Sequence, residues 1–313
     1  MTRRTAATVG LGWVLCATAL AACTAPPAAD EGIERAGGVA ARTVALEDAS
    51  ALPDVVAAAR RIGTVTLAHA PQDGNAVVSP ASIAVALAML TEGARGRTLT
   101  ELEAVLGAEG AARRDAFAAL RGTLAPYDGD PAVVQDEELP QSPVLHLADQ
   151  AVVHEEYAVA EEYLAALAEQ FDAGIQRTDL TSSDATRVLD AWVRHHSGGL
   201  VERSAIEPNG DLRLVLQDAV VLAARWEQPF GPGGTHDRPF TLGDGEVVDV
   251  ETMAATVDVP YAEVDGWRAA RLPYVEAFHS DVLLPPEGTD PTSATPELLA
   301  AVDKALDEAL DKA

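Results

Sequence analysis

The sequence is poor in sulfur, lysine and aromatic rings. Its two cysteines, Cys16 and Cys23, both stand near the amino terminus, so residues 24–313 carry no thiol. That excludes a disulfide-stapled scaffold, a thiolate metal site and a cysteine nucleophile from the body of the chain. Lysine occurs only at Lys304 and Lys312, and 22 basic residues face 49 acidic ones for a formal net charge of −27. So acidic a chain repels nucleic acid and anionic membrane surfaces, and no nucleic-acid partner is expected. Aromatic residues make up 4%, which leaves alanine, valine and leucine to fill a core. No Gly-x-Ser-x-Gly occurs, and Ser79 and Ser82 have no histidine near them in sequence, so a serine hydrolase is not indicated. Gly231-Pro232-Gly233-Gly234 has no lysine after it and reads as a turn, not a phosphate loop. His195 and His196, adjacent on a predicted helix, point in different directions. With His146 and His154 they lack the carboxylate–histidine spacing of a metal site, and they read as a surface pair. Neither metal nor cofactor is expected.

What is present begins with a targeting segment. Arg3 and Arg4 precede an apolar run from Val9 to Ala22, too short for a comfortable membrane span. It ends Leu20-Ala21-Ala22-Cys23, which resembles the bacterial lipoprotein signal. That resemblance implies that residues 1–22 are removed, that Cys23 is diacylated, and that the protein is exported and lipid-anchored at the cell surface. An ordinary secretory signal cut nearby is the alternative. Residues 23–52 have no steady apolar period and contain Pro26, Pro27, Gly37 and Gly38, so they read as a flexible tether. One domain follows over residues 53–313.

The stretch Asn75–Gly107 organises that domain. Ser79 is a good N-cap, with Pro80 at the first helical position. Ile83, Leu87 and Leu90 recur at helical spacing among small alanines, as in a helix buried on several sides. Gly93 and Gly96 are expected to end it. Thr98 and Glu101 then form a capping box for a short helix closed by Gly107. Helices are also predicted over 54–70, 111–125, 158–171 and from Ser183 to the stop at Gly198-Gly199. A last one starts at Thr295-Pro296. Strands are predicted over 144–153, 174–180, 235–242, 247–259, 267–272 and 281–284. The apolar run Leu212–Trp226 suits a strand covered on both faces.

The order of these features resembles the serpin family. The motifs are Asn75-Ala-Val-Val-Ser79-Pro-x-Ser82, Leu147-Ala148-Asp149-Gln150-Ala151-Val152, Trp192-Val193 followed by Ser197-Gly198-Gly199, and Leu214-Val215-Leu216-Gln217-Asp218-Ala219 running to Trp226-x-x-Pro229-Phe230. Thr235, Phe240, Met253, Leu272-Pro273-Tyr274 and Leu283-Leu284-Pro285 follow in order. The resemblance implies a mixed α+β fold of three sheets and about nine helices, with a mostly parallel sheet beneath the helix that carries Trp192. It implies inhibition of a serine or cysteine protease by an exposed reactive loop that inserts into this sheet after cleavage. It also implies that Ser79, Ser82, Asp218 and Trp226 control sheet opening. The family usually has Asn at the position of Asp218, and a buried Asp without a donor is costly. In the family, further strands and the reactive loop follow the Thr295 helix, and these 313 residues stop before them. The expectation is therefore a serpin-like chain incomplete at its carboxyl end and inactive alone. A non-inhibitory serpin-like binding or structural lipoprotein is the rival reading.

Overall fold

The computed structural model describes residues 32–71 and 74–311. In chain order the elements are β1 (Ile33–Glu34), α1 (Leu52–Ala68), α2 (Pro80–Gly93), α3 (Gly96–Leu106), α4 (Gly110–Leu124), β2 (Val144–His154), α5 (Glu161–Phe171), β3 (Gly174–Thr178), α6 (Ser183–His196) and β4 (Leu214–Ala223). Then come β5 (His236–Thr241), β6 (Val247–Thr252), β7 (Tyr261–Val264), β8 (Trp267–Pro273), β9 (His279–Leu284) and α7 (Pro296–Leu310). The mixed α+β class with three sheets stands.

The largest sheet has the order β1-β3-β2-β4. β2 and β3 are parallel, joined across α5, while β1/β3 and β2/β4 are antiparallel. The expectation of a mostly parallel sheet is therefore corrected for the described strands, of whose three pairings one is parallel. β5 and β6 form a hairpin around Gly243–Gly245, and β7-β8-β9 form a meander on which α7 packs.

Side chains alternate across the large sheet. Ala151 and Val153 of β2 join a core with Ala84, Ala88 and Met89 of α2 and Phe117 of α4. Val152 points the other way, against Leu189 of α6 and Val215 of β4. The sheet thus lies between α6 and a layer built by α1, α2, α4 and α5. β4 departs from the expected strand covered on both faces. Towards its end Val220 and Leu222 are 41% and 40% exposed. Both lie on one face of β4, and Val220 there lines an open cavity instead of packed side chains.

Local chemistry explains most helix ends. The Ser82 amide donates to Ser79 Oγ at 3.3 Å, and Pro80 occupies the first turn. Thr295 Oγ1 likewise caps α7 by accepting from the Leu298 amide. The capping box at Thr98 does not form. α3 starts three residues earlier, after Arg95, and Glu101 is taken by Arg97 Nε at 2.7 Å. Gly96 opens that helix; it does not end the one before. Gly198 follows α6 at φ +61°, and a Cβ there would strike the Pro131 carbonyl, so only glycine fits. The expected strand 247–259 is also corrected. It ends at Thr252, and the separate strand β7 starts just after Pro260, which has no N–H to give a ladder.

Part of the expected tether is structured. Ile33 and Glu34 pair with Gln176 and Ile175 of β3. The Arg42 amide donates to the Glu169 carbonyl at 2.7 Å, and Ala49 and Ala51 are buried. Residues 33–52 therefore belong to the folded body. The signal region and Cys23 lie outside the described residues. Among the described residues no helix is long and apolar enough to cross a membrane.

Candidate functional site

The rungs joining β2 to β4 carry two polar pairs on opposite faces of the sheet. Asp149 stands opposite Asp218, and Gln150 opposite Gln217. On the α6 side, Gln150 Nε2 donates to Gln217 Oε1 at 2.8 Å, and Gln217 Nε2 donates to the Leu189 carbonyl at 3.2 Å. Two buried amides thereby fasten α6 to the sheet. Trp192, 1% exposed, packs in the same layer against the ring of His196.

On the other side the site is acidic. Arg121 of α4 donates through Nη1 to Asp149 Oδ2 at 2.5 Å, and the Asp149 side chain is 1% exposed. Ser79 and Ser82 lie at the start of α2, their hydroxyls hydrogen-bonded at 2.8 Å. Ser82 stands beside the Asp218 carboxyl and acts to lower its pKa. Burial raises the pKa of Asp149 well above the usual carboxylate range. The charge of Asp218 pushes it further the same way, and Arg121 opposes both. Burial raises Asp218 too, offset by Asp149 and Ser82 beside it. Asp149 Oδ1 and Asp218 Oδ1 are buried, and no N–H or O–H donor reaches either. The concern that a buried Asp218 lacks a donor thus stands for its Oδ1, and the carboxyl it faces is the one held by Arg121.

Beside this pair lies a cavity of about 650 Å³, walled by apolar side chains that include Val55, Leu120, Leu147, Val220 and Trp267. Asp218 and Arg121 are among the few polar groups on its wall. The cavity separates the end of β4 from α1 and the three-stranded sheet, and leaves Val220 without cover.

Trp226 is not brought to the carboxyl pair. It stands past the end of β4, half-buried, stacked on Tyr274 with centroids 4.1 Å apart, and bridges to Tyr274 through backbone pairing. Of the four residues expected to control sheet opening, three converge and one marks the far end of the strand.

The reading of His195 and His196 as a surface pair is corrected. His195 is exposed, but His196 is buried, and its Nδ1 lies 2.9 Å from His146 Nε2. His146 Nδ1 is 3.1 Å from Asp128 Oδ1. The helical period turns one of two adjacent histidines inward and the other out. Elsewhere, His279, Asp281 and Asp303 have ligand atoms close together, but Arg271 already bonds both carboxylates at 2.8 Å. That cluster is an arginine hub holding α7 on the meander.

Asp149 and Arg121 were missed as site residues. Asp149 had a signal, since the family strand that Leu147–Val152 resembles reads Val-Ala-Asn-x-Leu-Phe, which puts Asn at this position as at that of Asp218. Two matching Asn-to-Asp departures on neighbouring strands are what a facing pair would leave. Arg121 had none, because a lone basic residue on a predicted amphipathic helix reads as solvated.

A family model described as serpin (serine protease inhibitor) matches residues 64–312. The leukocyte elastase inhibitor of Bos taurus is 28% identical over 233 residues, covering 71% of this chain and 58% of that protein. An uncharacterized serpin-like protein of Thermococcus kodakarensis is 30% identical over 224 residues, covering 70% of this chain and 50% of that protein. The chain thus spans about half to three-fifths of the length of these relatives. Among solved structures, the thermophilic serpin tengpin in its native state superposes with a TM-score of 0.69 at 19% identity, over 87% of this chain and 67% of that one. In its latent state it gives 0.67 at 20%, over 80% and 66%. The motif order, the sheet carrying α6 and the match over residues 64–312 agree: this chain belongs to the serpin family.

Proposed function

We propose that residues 33–313 are the scaffold of a serpin-type endopeptidase inhibitor. In this reading the whole protein traps an extracellular serine or cysteine protease by inserting a cleaved reactive loop into the large sheet. The protein is exported and held at the cell surface by a lipid on Cys23. The observation that carries the reading is the convergence of Ser79, Ser82 and Asp218 beneath the β2–β4 rungs, next to an edge strand. An added strand would find hydrogen-bonding partners at that edge. The bait segment lies outside these 313 residues, so they bind no protease covalently by themselves. The test incubates purified residues 24–313 with trypsin-, chymotrypsin- and subtilisin-like proteases and reads denaturing gels. No covalent band is expected. A stable complex formed with near-equal stoichiometry and loss of protease activity would show that the bait lies within this sequence.

A further inference from the structure

The Asp149–Asp218 rung has a property that the inhibitor reading does not use. Two carboxyls face each other, Asp149 buried and Asp218 half-buried, and one arginine neutralises one of them. The groups that face the pair are Arg121 from α4 and the Ser82 hydroxyl from α2. Arg60 of α1 lines the same cavity but is bonded to Asp303 of α7. On the reverse face of the two strands stand the neutral amides of Gln150 and Gln217. Charge therefore balances when the pair holds a single proton. The same proton satisfies the two donorless Oδ1 atoms, because a protonated carboxyl donates to its neighbour. The proton belongs to the pair and not to either residue.

We propose that Asp149 and Asp218 form a proton-dependent clasp between β2 and the edge strand β4. With the proton in place the rung is closed. When it leaves, two like charges face each other across the rung, and the weaker partner gives way. Asp218 is that partner, since it is the less buried of the two and lines a cavity of about 650 Å³ into which it can turn. The sign follows from the raised pKa values of both groups. The folded state keeps a proton that an unfolded chain gives up above about pH 4. Stability from the clasp is complete below that pH and is lost as pH rises through the pair's raised value. Mild acid closes the sheet edge, and rising pH loosens it. This holds whether or not the whole protein inhibits a protease.

The experiment compares the full chain with Asp218→Asn and Asp149→Asn. In Asp218→Asn the amide can donate to Asp149, so no proton is needed. Urea unfolding is followed from about pH 5 to about pH 8, with difference infrared spectroscopy for protonated carboxyl groups. Relative to Asp218→Asn, the folded-to-unfolded ratio of the wild type should fall with rising pH by up to about tenfold per unit. A protonated-carboxyl band should persist in the folded wild type above about pH 5 and vanish in both variants. Parallel pH profiles for wild type and Asp218→Asn would overturn the clasp. So would a wild-type spectrum without a protonated carboxyl above that pH, a result that does not depend on either variant folding.

Discussion

Glu92, near the end of α2, accepts from two arginines of α4. Arg113 Nη2 reaches Oε1 at 2.5 Å, and Arg114 reaches Oε2 through Nη2 at 2.6 Å and Nε at 3.0 Å. The side chains of Glu92 and Arg113 are 1% and 2% exposed, and Arg114 is 43% exposed. Glu103 completes the group, accepting from Arg113 Nη1 at 2.9 Å and from the Gly110 amide at 2.8 Å. Glu92→Met removes the shared carboxylate. Arg114 can turn into water, so its share of the loss is small, on the scale of a surface pair at about 0–1 kcal/mol. Arg113 cannot follow; Glu103 still accepts from its Nη1, so the cost of an uncompensated buried charge, about 3–5 kcal/mol, is the upper bound of the loss. Glu92→Met should therefore lose up to about 3–5 kcal/mol. The double variant Glu92→Met with Arg113→Met should recover most of that, because no buried cation is left and two flexible apolar side chains fill similar volume. Urea unfolding at neutral pH, read by the fluorescence of Trp192, Trp226 and Trp267, gives both values. If the single variant stayed within about 1 kcal/mol of wild type, or the double variant were worse than the single, the network would not be the buried unit described here.

Other expectations follow from single contacts. Gly198→Ala should destabilise by about 1–3 kcal/mol, from the left-handed backbone together with the collision at Pro131, read as a lowered urea midpoint. Ser82→Ala removes a hydroxyl bonded to Ser79 and placed beside the Asp218 carboxyl, whose pKa it acts to lower. It should cost about 1–2 kcal/mol in the same assay and steepen the loss of stability with rising pH. Arg271→Met leaves Asp281, Asp303 and Asp307 facing one another, so α7 should detach from the meander first. Hydrogen exchange in α7 would then rise well above that in α2, and equal protection of both helices would refute the hub. Mass spectrometry of the mature protein should find a diacylglycerol adduct on Cys23, and a free amino terminus elsewhere would refute the anchor.

The sequence was most informative where local chemistry decides the structure. Ser79 with Pro80, Gly107, Gly198 and Thr295 fixed helix ends because capping and positive φ need particular residues. It misled where a local motif competed with a stronger tertiary or electrostatic partner. Glu101 looked like the far half of a capping box but is held by Arg97. Residues 33–52 looked like a tether because a two-residue strand has no period to detect, yet Ile33 and Glu34 pair with β3. The apolar run of β4 signalled burial on both faces, but Val220 lines an open cavity and, like Leu222, stays exposed, and what packs on a strand face is set by tertiary structure. The carboxyl pair was half legible. Asp218 stood out by its departure from the family motif, whereas its mate needed the β2–β4 register, and register is a tertiary property.

The proposal to test is that this chain can serve as the scaffold of an inhibitory serpin when a reactive loop is joined to it. The most direct measurement is a chimera. Residues 24–311 are joined to the part of the Bos taurus leukocyte elastase inhibitor that follows its counterpart of α7, purified as a folded monomer and mixed with leukocyte elastase. A band resistant to denaturant, at the summed mass of the two proteins, is predicted for the chimera and not for residues 24–313 alone. A folded, monomeric chimera that elastase only cleaves, with no such band, would contradict the claim and favour the non-inhibitory reading.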